Sequence, residues 1–243
     1  SLTFTPANWD SARTVTVTGV DDNLADGDVT YTIIIGPGSS SDGSYDGLDP
    51  DDVEVTNRDN DQAGIEVSPV SGLTTSEEGG SETFSVVLNS EPTADVTISL
   101  TSTDASEGSV SPASLTFTPA NWDSARTVTV TGVDDSLADG DVAYTITIGP
   151  SSSTDENYNG LDPDDVEVTN RDNDQAGIDV SPASGLTTSE EGGSETFSVV
   201  LSSEPTADVT ISLTSTDASE GSVSPAALTF TPGDWDSART VTV

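Results

Sequence analysis

Across 243 residues the chain carries 44 aspartates and glutamates against five arginines, with no lysine, histidine or cysteine, for a net charge of −39. A polyanion of this kind seeks neither nucleic acid nor anionic membrane surface, and it has no means of forming disulfides or thiolate metal sites. Disorder, the usual outcome at such a charge, is excluded by the placement of Val, Ile, Leu, Tyr, Phe and Trp at period two in separated runs, with the acids gathered between them. No stretch approaches the roughly 18 apolar residues of a membrane helix, so no membrane insertion is expected. Ser1 does not open a signal peptide, and the residues are expected to lie inside something longer or to be a mature form.

The first run, Ser1-Leu-Thr-Phe-Thr-Pro-Ala-Asn-Trp-Asp10, recurs at Ser114 to Asp123 and, nearly unchanged, at Ala227 to Asp236, an offset of 113 each time. A period this long is one whole domain per repeat rather than one turn of a solenoid. The seam falls at Asn57 to Gly64 and again at Asn170 to Gly177, where one strand pattern stops and another begins. Residues 1–62 are therefore the C-terminal half of one module, 63–174 a complete module, and 175–243 the N-terminal part of a third. Half a sandwich cannot bury its inner face alone, so further chain or a neighbouring molecule is expected to complete the two partial modules.

In the complete module, strands are expected near Ile65 to Ser68, Glu82 to Leu88, Val96 to Thr101, Leu115 to Thr118, Thr127 to Thr131, Val142 to Ile148 and Val166 to Thr169. Polar, Pro-bearing connections such as Glu91-Pro-Thr-Ala and Ser111-Pro-Ala separate them. Seven short strands and no helical periodicity predict an all-β fold, a tandem series of seven-stranded immunoglobulin-like β-sandwich modules. Phe84, Leu88, Phe117, Val130 and Tyr144 are the expected core.

If successive strands run antiparallel, alternate connections share one end of the sandwich. Those connections are the acidic ones: Ser76-Glu-Glu-Gly-Gly80, Thr103-Asp-Ala-Ser-Glu107, Asp134 to Asp141, and Asp172-Asn-Asp174. Asp134, Asp135, Asp139 and Asp141 crowd one loop, which is costly unless a cation sits among them. Calcium takes about six to eight oxygens from such groups, whereas zinc and copper would call for the absent histidine and cysteine. An EF-hand is excluded, because Asp135-Ser-Leu-Ala-Asp-Gly140 puts Leu137 at a ligand position and Ile146 where a closing glutamate belongs.

The order of these segments, Ser-Glu-Glu-Gly after the first strand, Ser-Thr-Asp104 before Leu-Thr-Phe-Thr-Pro, and Thr-Val-Thr-Val-Thr-Gly-Val-Asp-Asp before Tyr-Thr-Ile, resembles the Calx-beta domain over the whole repeat. That family occurs in sodium/calcium exchangers and, as tandem arrays, in large bacterial surface proteins. The resemblance implies calcium bound in the loops at one end of the sandwich. By position its ligands would be Glu77 or Glu78, Asp104, Asp134, Asp135, Asp139 and the terminal pair Asp172 and Asp174, with Asp141 in the same loop. Their counterparts in the flanking copies are Asp21, Asp22, Asp26, Asp28, Asp59 and Asp61 before, and Glu190, Glu191 and Asp217 after. Asn173 departs from an all-aspartate terminal run.

Only Gln62 and Ala63 separate the first seam from the next module, too few to act as a tether. Asp21 to Asp28 and Asp59 to Asp61 are expected to face the Trp122 loop and the Asp155 to Asp165 loop of the following module. Trp9, Trp122 and Trp235 are read as plugs over the sandwich end or seam contacts, and Tyr45 and Tyr158 as pins for the long loop that carries them. The expected function is a calcium-rigidified structural segment of an extracellular or cell-surface bacterial fibre or adhesin, with neighbouring repeats of the same or identical chains as partners. Cytosolic calcium is too scarce to fill weak carboxylate loops. The alternatives are a lectin-like adhesive module and an accessory module of a carbohydrate-active enzyme. Without His, Cys or Lys no catalytic role is expected beyond what a carboxylate pair could do.

Overall fold

The computed structural model describes residues 1–243 and is built from strands, with no helix. In the first copy of the repeat, β1 (Val29–Ile33) pairs antiparallel with β2 (Val53–Asn57). The middle copy contains β3 (Ile65–Ser68), β4 (Leu73–Ser76), β5 (Ser81–Leu88), β6 (Val96–Ser102), β7 (Gly108–Ser111), β8 (Ser114–Phe117), β9 (Arg126–Gly132), β10 (Val142–Ile148) and β11 (Val166–Arg171). The third contains β12 (Ile178–Ser181), β13 (Thr196–Leu201), β14 (Val209–Ser212), β15 (Ala227–Phe230) and β16 (Arg239–Thr242).

The middle copy is two sheets face to face, β4-β11-β10-β6-β8 and β3-β5-β9-β7. Period-two patterning decides what lies between them. Val96, Ile98 and Leu100 of β6, Val128 and Val130 of β9, and Ile146 and Ile148 of β10 are all buried, and the threonines and serines between them face outward. Each such aliphatic side chain, fully buried, stabilises the fold by about 1.5–3 kcal/mol, which is what opposes the self-repulsion of the acidic surface.

All seven expected segments are strands, and two short ones, β4 and β7, join them. Both arise in one way. The run Ile65 to Ser76 starts in one sheet as β3 and finishes in the other as β4; Gly108 to Phe117 does the same as β7 and β8. Pro69 and Pro112 stand at the two crossings. Proline has no N–H to donate to a ladder, so pairing with one sheet stops there and the chain is released to the other. Ser111-Pro-Ala is accordingly a change of sheet rather than a turn.

The flanking copies show what the sandwich needs. Leu2, Phe4, Val15 and Val17 are exposed, whereas their counterparts Leu115, Phe117, Val128 and Val130 are buried, because the first copy forms only β1 and β2, the counterparts of β10 and β11, and has no facing sheet. The third copy buries a smaller core of Val199, Leu201, Leu228, Phe230 and Val241.

Arg126 lies over the ring of Phe117 with its Nε buried and unpartnered. In the third copy Arg239 lies likewise over Phe230, but there Asp234 stands where the middle copy has Asn121, and it pairs with the guanidinium. Asn121 already accepts from Thr118 N at 2.9 Å, as Asp234 does from Thr231 N at 2.7 Å. Asn121→Asp is therefore expected to keep that cap and give Arg126 a partner, raising stability by about 0.2–1 kcal/mol at low salt. A thermal midpoint unchanged at every ionic strength would show that Arg126 cannot reach it.

Candidate metal centre

Strand directions bring the acidic connections to one pole. Because β11 runs parallel to β4 and antiparallel to β10, while β6 and β9 run with β4, the chain leaves β4, β6, β9 and β11 at the same end. The loops there assemble two groups of carboxylates. Glu77, Asp134 and Asp174 form one, and Glu107, Asp135 and Asp139 the other, with the ligand oxygens of each group within 4.8 Å of one another.

The floor beneath them is unusually close-packed. Asn170, buried at the end of β11, donates from Nδ2 to Val133 O at 3.1 Å and to Glu107 Oε2 at 3.3 Å, and its Oδ1 accepts from Thr75 Oγ1 at 3.0 Å. The Tyr144 hydroxyl lies 3.2 Å from the same Thr75 oxygen. Two glycines make room for this: a Cβ on Gly108 would meet Tyr144 Oη at 2.1 Å, and one on Gly132 would meet Ser76 O at 2.2 Å and Asn170 Oδ1 at 2.4 Å.

Glu77 and Glu107 are buried, at 3% and 6% exposure, and neither has a cationic partner; the one salt bridge in the chain is the Arg239–Asp234 pair far from this pole. Burial pushes the Glu77 carboxyl above its ordinary value; the Asn173 N–H, at 3.0 Å, pulls the other way, and the charges of Asp135, Asp172 and Asp174 add to the rise. Burial likewise raises Glu107, against the Asn170 amide and with the charges of Asp139, Asp135 and Asp104. Asp174 is raised by burial and then by Asp172, Asp134 and Asp135. Two buried carboxylates ringed by more of the same sign are a destabilised arrangement for the protein alone, and an all-oxygen donor set of this sort fits a hard cation such as calcium.

Of the residues expected from sequence, Glu77, Asp134, Asp135, Asp139 and Asp174 lie in these groups. Asp172 and Asp141 serve the loop backbone: Asp172 accepts from Gly140 N at 2.7 Å and Asp174 N at 2.6 Å, and Asp141 from Asp172 N at 3.3 Å. Asp104 caps its own turn by accepting from Ser106, which holds its carboxyl below the ordinary value. Glu78 is exposed and belongs to neither group. Glu107 is the residue that sequence reasoning passed over for Asp104, although it ends the same acidic segment. The signal was Gly108 beside it, the position that lets Tyr144 come up beneath.

In the first copy Asp59 accepts from Gly27 N at 2.6 Å and Asp61 N at 2.8 Å, and Asp28 from Asp59 N at 3.1 Å, repeating the middle loop. Asp61 is raised by burial and then by the charges of Asp59, Asp21, Asp22 and Asp26. In the third copy Asp217 caps a turn with Ser219, and Glu190 and Glu191 are exposed.

The opposite pole carries no such clustering. Asp155 accepts from Thr93 N at 2.7 Å and Asn157 N at 2.9 Å, and the buried Tyr158 hydroxyl donates to Ser90 O at 2.6 Å, so the long loop is pinned by its own residues. Trp122 packs against the core of its own copy. The loop Asp21 to Asp28 meets the expected Asp155 to Asp165 loop at Asn157, through Asn157 Nδ2 to Ala25 O at 2.9 Å, but its second contact is Glu91, through Glu91 N to Asn23 O at 2.7 Å, rather than the Trp122 loop.

Gly132→Ala is expected to lower stability by about 1–3 kcal/mol, because the obstruction is the backbone carbonyl of Ser76 rather than a side chain that can swing away. Denaturant midpoints of parent and variant measure it, and equal midpoints would mean that the floor is loose.

No curated protein matches the chain in sequence. Among solved structures, the apo form of the Calx CBD1 domain aligns at 17% identity over 46% of this chain and 96% of that one, with a TM-score of 0.35. The calcium binding domain CBD12 of CALX1.1 aligns at 16% identity over 74% of both chains, TM-score 0.37, and CBD12 from CALX1.2 at 17% over 73% of both, TM-score 0.36. The model of the Calx-beta domain matches residues 1–61 and 58–174, most of the chain. With its acidic loops gathered at one pole of an all-β repeat, this chain belongs to the Calx-beta domain family.

Proposed function

We propose that the chain is a calcium-rigidified structural segment of an extracellular or cell-surface fibre or adhesin, made of Calx-beta modules in series. The observation that carries the reading is the pair of buried glutamates, Glu77 and Glu107, each facing two further carboxylates with no protein cation to balance them. Glu77, Asp134 and Asp174 would hold one ion, and Glu107, Asp135 and Asp139 another, while Asn170, Asn173 and Gly132 fix the backbone around them. Calcium would supply charge neutralisation at this pole. At about 100 times its dissociation constant, an ion adds about 2.7 kcal/mol per site to the folded state.

Serial modules joined without a tether suit length and stiffness more than a single active cleft. Partly exposed apolar faces in the flanking copies suit completion by neighbouring repeats, of the same chain or of an identical one. An extracellular setting follows from calcium supply, since weak carboxylate sites would stay empty at cytosolic levels. No helix is long and apolar enough to cross a membrane.

Melting the chain in EDTA and in calcium chloride tests the reading, with a clearly higher midpoint expected in calcium; superimposable curves would end it. The pH dependence should also change sign. Glu77 and Glu107 have raised folded pKa values, so in EDTA their contribution is present while they are protonated and is lost as pH rises through those values, above the ordinary 4.5. The metal-free midpoint should therefore rise as pH is lowered from neutrality towards the ordinary 4.5. In calcium, protons compete with the cation and the midpoint should fall over the same window. Slopes of one sign in both buffers would remove these two glutamates as the responsible groups.

A further inference from the structure

We infer that the apex of the acidic loop after β9, Ser136-Leu-Ala138, is a docking key, and that its socket is the turn ending in Glu-Pro on the next module. The array is thus held in register by a specific contact. The inference rests on the calcium reading only for how the key is stiffened.

The contact occurs twice in the chain, at both seams and in the same form. At the first, Leu24 lies in a parallel bridge with Glu91, and Glu91 N donates to Asn23 O at 2.7 Å. At the second, Leu137 bridges Glu204, and Glu204 N donates to Ser136 O at 2.7 Å. Key residues Asn23-Leu-Ala25 and Ser136-Leu-Ala138 are one period apart, and so are the sockets Glu91-Pro92 and Glu204-Pro205. The following proline has no N–H, so the glutamate N–H is the donor the turn offers at that point. The seam is narrow: beside the second contact an open groove of about 700 Å³ remains, lined by Leu137, Ile178, Leu201 and Val209 among others. A seam so sparsely filled leaves its angle to few bonds.

The key is shaped by the aspartates of its own loop. Asp135 Oδ1 accepts from Leu137 N at 2.7 Å, and Asp22 Oδ1 from Leu24 N at 3.0 Å. At the far side of the loop Asp172 holds Gly140 N, and Asp59 holds Gly27 N. Asp135 is therefore a positioning residue for the seam while also facing Glu107 and Asp139. Whatever orders that carboxylate orders the key, and by linkage docking and cation binding favour each other.

The test uses the full 243-residue chain, which has no native cysteine to interfere with labelling. Spin labels at Thr116→Cys and Thr229→Cys, exposed and equivalent positions in the middle and third copies, report the inter-module distance distribution with EDTA or calcium chloride. Glu204→Pro removes the socket donor without touching a carboxylate group of the middle copy. In the parent, calcium should narrow the distribution; in Glu204→Pro the narrowing should be lost while calorimetry counts the same number of ions bound. Equal narrowing in both overturns the inference. Should the parent bind no calcium, the calcium reading fails alone: the docking key then still predicts a narrower distribution for the parent than for Glu204→Pro in EDTA, and equal widths overturn it. If circular dichroism shows that the proline variant has lost its third copy, Leu137→Ser gives the same comparison from the key side.

Discussion

Like charge held at close quarters is the constraint around which this molecule is arranged. At one pole of the middle sandwich two glutamates are buried among aspartates, and neither forms a salt bridge with any of the chain's five arginines. Repulsion of this kind would splay the loops in isolation, so the pole has to be imposed by what lies below it. Asn170, Thr75 and Tyr144 form a hydrogen-bonded floor, and Gly108 and Gly132 allow that floor to rise close under the loops. Farther down, the aliphatic residues of β5, β6, β9 and β10 hold the two sheets together strongly enough to keep the strand ends in place.

The same loops link one module to the next. Asp135 faces the carboxylate group on one side and orders Leu137 on the other, so the distance between electrostatics and joint geometry is two residues. On the proposed reading, a cation that orders these loops would also favour alignment of the neighbouring module. Such a coupling would suit the proposed role in extension and stiffness.

The repeats act as internal controls because they differ at few positions. Asn121 against Asp234 separates an arginine with an unpartnered Nε from one in an ion pair on the same framework. Leu115 against Leu2, and Phe117 against Phe4, show that burial belongs to the assembled sandwich and not to the segment. A strand of ideal alternation stays wet until its facing sheet is present.

From the sequence alone, the all-β character, the repeat period and the end of the sandwich at which the acids meet could be derived, because all three are properties of order along the chain: period-two patterning, self-similarity and strand parity. Which carboxylates stand together could not. Glu107 rather than Asp104 enters a group because Ser106 turns Asp104 back onto its own loop, while Gly108 and Asn170 draw Glu107 inward. The sheet crossings at Pro69 and Pro112 are not legible in sequence, since a missing N–H looks the same locally whether the chain reverses or changes sheet. The seam contact at Glu91 and Glu204 was invisible for a related reason: a backbone hydrogen bond between copies has no side-chain signature. Order along the chain determines which groups can reach one another, but burial and backbone geometry, which exist only after folding, decide which of them do.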